Sequence, residues 1–118
     1  MEKLFNSEVS ADNIKNQIRL KTNFKYLFTQ TSTLGGLDNI CIIIHTSREA
    51  KEHWENDIYH NSNYAIFCLS NYGELEQYSR QALMPKFRKS RAKNIDDVIK
   101  KLNEYNKKEL QYGLAKSI

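Results

Sequence analysis

The chain is short of the residues that break or staple structure. It has one proline and four glycines in 118 residues, so no stretch reads as a flexible linker between domains. Its two cysteines, Cys41 and Cys68, sit inside apolar runs and not in the paired spacings of a disulfide scaffold or zinc ribbon. They read as small buried hydrophobes in a reducing compartment. No apolar run approaches the roughly 18 residues of a membrane span. The start, Met1-Glu2-Lys3-Leu4-Phe5-Asn6, lacks the apolar core of a signal peptide. The expectation is a cytoplasmic protein without a membrane partner. Walker, dinucleotide-binding and nucleophile-elbow patterns are missing too; Gly35-Gly36 is an isolated glycine pair.

What is present suits one domain over residues 1–118. The hydrophobic fraction is 40% and the charged fraction 27%, enough for a single core and a solvated surface. Two apolar runs dominate, Ile40–Ile44 and Tyr64–Leu69. Both read as central strands. Between them Thr46-Ser47-Arg48-Glu49 fits a capping box, and Ala50, Trp54 and Ile58 recur at helical spacing up to the breaker cluster His60–Asn63. A strand–helix–strand unit of this kind predicts parallel central strands, or a mixed sheet if the two are not neighbours.

Around this centre, Ser10 is the expected cap of a first helix carrying Ala11, Ile14 and Ile18. Phe24, Tyr26 and Phe28 alternate as the buried face of a strand running to Gln30. Asn71-Tyr72-Gly73 is the turn of a hairpin into Glu74–Tyr78. Asn94, with Asp97 three residues on, caps a last helix whose apolar stripe is Ile95, Val98, Ile99, Leu102 and Tyr105. The predicted fold is α+β, bordering on α/β: a mixed sheet of about four strands in the element order α-β-β-α-β-β-α.

Charge is the main functional signal. Residues 1–79 carry seven Lys/Arg against ten Asp/Glu, whereas residues 80–118 carry eleven against four. Lys86, Arg88, Lys89, Arg91 and Lys93 place five cations in eight residues, interrupted by Phe87, preceded by Arg80 and followed by Lys100 and Lys101. Such density neutralises phosphates and releases counterions, and an exposed Phe87 or Tyr78 would stack on bases. The expected partner is nucleic acid or an acidic protein surface, met by a small non-enzymatic binding protein that needs no cofactor. The abundance of Asn, Lys, Ile and Tyr, all encoded by AT-rich codons, also suits a protein-interaction or inhibitor module of a phage or mobile element.

Histidines supply the enzymatic alternative. His53 and His60 lie seven apart, about 10 Å along a helix and too far for one metal ion. His45 ends a central strand beside a helix N-terminus, a place where α/β proteins bind ligands. With Thr46, Ser47, Arg48 and Asp38 or Glu52 it would make a metal-independent ribonuclease site. A structural histidine is the simpler reading. An αβββαβ nuclease site is excluded, because Glu74-Leu75-Glu76 carries no lysine and the strand after Asp38 is wholly apolar.

Overall fold

The computed structural model describes residues 3–33, 40–62, 64–79 and 89–117. These residues form an α+β domain in the order α1 (Glu8–Lys21), β1 (Phe28–Ser32), β2 (Cys41–His45), α2 (Arg48–Glu55), a 3₁₀ turn (Tyr59–Asn61), β3 (Ile66–Ser70), β4 (Glu74–Gln77), β5 (Ser90–Arg91) and α3 (Ile95–Ser117). The sheet has five strands in sequential order β1-β2-β3-β4-β5, and every neighbouring pair is antiparallel.

The antiparallel pairing of β2 with β3 corrects the parallel or mixed arrangement expected from the sequence. A parallel crossover must return the chain along the full length of the strand, about 17 Å for five residues. The eight residues of α2 span only about 12 Å. The helix stops where Asn56 bonds back to the Glu52 carbonyl, and Asp57 then turns at φ 59°. The 3₁₀ turn brings the chain back to the end it left, so His45 lies opposite Ile66. The predicted helix to His60 is therefore split in two.

Caps set the other boundaries. Ser7, not Ser10, caps α1: Ser7 Oγ accepts from the Ser10 amide at 3.2 Å, and Ser10 Oγ accepts from the Ser7 amide at 3.1 Å. Ser47 caps α2 by accepting from the Ala50 amide at 3.0 Å. Thr46, the expected cap, instead donates to the Ala65 carbonyl at 3.0 Å and ties the helix start to β3. Asn94 behaves as predicted, accepting from the Asp97 amide at 2.9 Å. At the hairpin, Gly73 adopts φ 89°, and a Cβ there would run into the Ala92 carbonyl oxygen.

The first sheet face carries Ile42, Ile44, Phe67, Leu69 and Leu75, packed with Ala11, Ile14 and Ile18 of α1 and Val98, Leu102 and Tyr105 of α3. Phe67 meets the Tyr105 ring edge-on at 4.7 Å between centroids. The N-terminal residues join this core: Phe5 is buried, and the Leu4 amide donates to the Asn71 carbonyl at 2.7 Å. The second face carries Cys41, Ile43, Ile66 and Cys68, packed with Ala50, Trp54, Tyr59 and Tyr78.

β1 starts later than the aromatic alternation implied. Phe28 pairs with His45, the last residue of β2, so residues before it have no strand to pair with. Phe24 packs on the first core, Tyr26 stands 5.9 Å from the Arg48 guanidinium, and Phe28 lies on the second face under Lys51 at 4.1 Å. The three aromatics do not share a face.

Candidate nucleic-acid interface

The last helix presents its basic residues away from the core. Val98, Ile99, Leu102 and Tyr105 are buried, whereas Lys93, Lys100 and Lys107 are exposed and Lys101 is half-buried. Two asparagines on α3 reach across to the end of α1. Asn103 Oδ1 accepts from the Asn23 amide at 3.1 Å, and its Nδ2 donates to the Lys21 carbonyl at 3.1 Å. Asn106, 8% exposed, donates to the Asn23 carbonyl at 2.9 Å. These bonds satisfy backbone groups that the end of α1 leaves open.

The clamp brings the basic last turn of α1, with Arg19 and the exposed Lys21, to the lysines of α3. Beside the clamp lies an open concavity of about 520 Å³ lined by Asn23, Lys100, Asn103, Glu104, Asn106 and Lys107. Lys100 and Lys107 stand about 10 Å apart along the helix, separated by two turns. Glu104 is the one carboxylate among the described lining residues. Ammonium and carboxamide groups together suit phosphate and sugar oxygens.

The basic residues singled out by charge do not all gather here. Arg80, Lys86, Phe87 and Arg88 lie outside the described residues. Lys89 and Arg91 belong to the other side of the sheet. Arg91 of β5 lies opposite Glu74 of β4 in the strand register, and Lys89 Nζ meets Glu74 Oε2 at 3.2 Å. The Glu74 carboxylate raises the Lys89 ammonium above the ordinary lysine pKa. Lys93 stands at the start of α3, where its backbone amide donates to the Asp97 carboxylate at 3.2 Å. Among the described residues, Lys100 and Lys101 share α3 with Lys107, whereas Lys89 and Arg91 do not share their face of the sheet. Sequence reasoning missed Lys21, Asn23 and Asn106. The buried Asn106 inside an apolar stripe was the available signal, since a buried carboxamide requires a partner.

His45 has no access to a substrate. Its side chain is fully buried between Phe28 and Trp54, with ring centroids 5.8 and 5.9 Å away. Nε2 is 3.0 Å from Gln30 Oε1, which fixes the proton on Nε2, and Nδ1 has no hydrogen-bond partner among the described residues. Burial pushes its pKa down to about 4, with Lys51 adding to the fall and Glu55 opposing it. A neutral, enclosed imidazole cannot relay protons to a bound phosphodiester. His53 is tied to Ser62 Oγ at 2.7 Å and His60 stacks on Tyr59 at 4.1 Å, so neither joins it.

Comparison with protein-family models, with curated proteins and with solved structures finds no match to this chain. No helix among the described residues is long and apolar enough to cross a membrane.

Proposed function

We propose that the protein binds nucleic acid without acting on it, through the outer face of α3 and the basic end of α1. The observation that carries this reading is the asparagine clamp. It fixes the end of α1, at the Lys21 carbonyl, against the helix that carries Lys100 and Lys107, and these two lysines line one concavity with a single carboxylate among its described lining residues. Cations fixed on a rigid helix pair bind a phosphate backbone without needing to order a loop. Lys93 and Lys101 extend the same helix, and the sevenfold net positive charge of residues 80–118 draws a polyanion to this part of the chain. Lys89, already paired with Glu74, contributes less. A phage or mobile-element origin, suggested by the codon-linked composition, is compatible with this role.

The test is fluorescence anisotropy with a generic 20-mer, duplex and single-stranded, across a salt series. Binding should be measurable near about 50 mM salt and weaken steeply above it, with the log–log slope falling by about 0.9 for each contacting lysine removed. Lys21→Ala, Lys100→Ala and Lys107→Ala together should lower affinity by at least about tenfold at low salt. Absence of binding at low salt, or loss confined to Lys89→Ala and Arg91→Ala, refutes the proposed surface.

A further inference from the structure

The helix α2 covers only one end of the second sheet face. At the other end Cys41 and Cys68 form part of the lining of a concavity of about 270 Å³, with Ser70, Glu74, Tyr78 and Arg91 around them. Neither cysteine is in a disulfide, and each residue is 5% exposed. They stand on adjacent strands and the same face, hydrogen-bonded to each other, with the Tyr78 hydroxyl also bonded to Cys68.

Their register decides what such a pair can do. Cys41 lies opposite Ser70 and Cys68 lies opposite Ile43, so the cysteines are diagonal neighbours and not a direct cross-strand pair. Diagonal neighbours stand roughly 7 Å apart, whereas a disulfide wants Cβ atoms about 3.5–4.5 Å apart. A direct S–S bond would therefore require the strands to shift. An atom inserted between the sulfurs removes that conflict, because two metal–thiolate bonds of about 2.3 Å span about 4.6 Å. Among the described residues no group of three or more His, Cys, Asp or Glu is placed to hold a metal ion. That disfavours a tetrahedral zinc-type site and leaves centres satisfied by two soft ligands.

We propose that Cys41 and Cys68 form a two-thiolate site for a monovalent d¹⁰ metal ion, Cu(I) in particular. Binding replaces two S–H bonds by two S–Cu bonds, releases two protons to solvent and changes no oxidation state.

The test is anaerobic titration of the full chain with Cu(I) against a colorimetric chelator at pH 7.5. One copper should be retained per chain. Cys41→Ser and Cys68→Ser should each lower affinity by at least about 100-fold while keeping the wild-type circular dichroism spectrum and thermal melt. Phenylarsine oxide, which bridges two thiols with loss of water, should form one adduct that consumes both cysteines of the native protein. No retained copper, or retention unchanged in either serine variant, overturns the site. Arsenical capture without copper retention overturns the metal assignment. Arsenical reaction only after denaturation overturns the accessibility of the pair.

Discussion

Acid should loosen this fold through His45 well before its carboxylates are protonated. The ring is enclosed, its Nδ1 has no partner among the described residues, and its pKa falls from 6.5 to about 4. In the unfolded chain the imidazole takes a proton below pH 6.5, whereas in the folded chain it resists one down to about 4. The sign follows directly. His45 costs no stability above pH 6.5, and a growing amount as pH falls through the window from 6.5 to 4. Between pH 7.5 and 5 the linkage comes to about 2 kcal/mol, and complete titration would reach about 3.4 kcal/mol. Relaxation around the ring and partial entry of water would reduce the first figure to about 1–2 kcal/mol. The assay is urea unfolding at pH 7.5, 6.0 and 5.0, for the wild type and for His45→Phe. Phenylalanine keeps an aromatic body between Phe28 and Trp54 but cannot take a proton. It strands Gln30 at every pH, so the variant is weaker throughout, yet its loss on acidification should be smaller than that of the wild type by the stated amount. Equal losses in the two proteins would refute the assignment of this window to His45.

Two further perturbations probe the frame that positions the candidate surfaces. Gly73→Ala places a side chain at φ 89° and drives its Cβ against the Ala92 carbonyl oxygen, whose carbon accompanies the 2.8 Å bond from the Ala92 amide to the Gly73 carbonyl. The left-handed backbone alone costs about 1–2 kcal/mol, and the clash adds to it, so the thermal midpoint should fall by at least about 4 °C in a differential scanning experiment. Asn103→Ala removes two bonds at the end of α1, and their net worth near the surface is about 1–2 kcal/mol. Hydrogen exchange should then quicken at the Asn23 amide, while amides of β2 and β3 keep their protection relative to global stability.

Much of the frame was legible because it is local. The stripe Val98, Ile99, Leu102, Tyr105 marked α3, and Asn94 marked its start, since caps and periodicity act within a few residues. Gly73 marked the hairpin for the same reason. Strand direction was not local. A run such as Ile40–Ile44 is buried on both faces in parallel and antiparallel sheets alike, and only the short reach of α2 decides between them. The aromatic alternation at Phe24, Tyr26 and Phe28 misplaced β1 because a strand ends where its partner does, and β2 ends at His45.

The same distinction separates the two candidate surfaces from the residues that first drew notice. Clustering of cations along the chain located the basic end correctly as composition, but alternation in β5 and the helix after it sends Lys89 and Arg91 to one side of the sheet and Lys100 and Lys107 to the other. Sequence proximity is a poor guide to a shared surface wherever a strand passes into a helix packed on the opposite face. The converse holds for Lys21 and Asn103, and for Cys41 and Cys68, which are distant in the chain and brought together by the fold. In each case a polar signal inside an apolar pattern marks the meeting point: Asn106 in the α3 stripe, and two thiols in strands otherwise rich in isoleucine. A polar atom in such a position needs a partner from elsewhere in the fold. Asn106 finds the Asn23 carbonyl at the end of α1, and Cys68 finds Cys41 and the Tyr78 hydroxyl on the opposite face of the sheet.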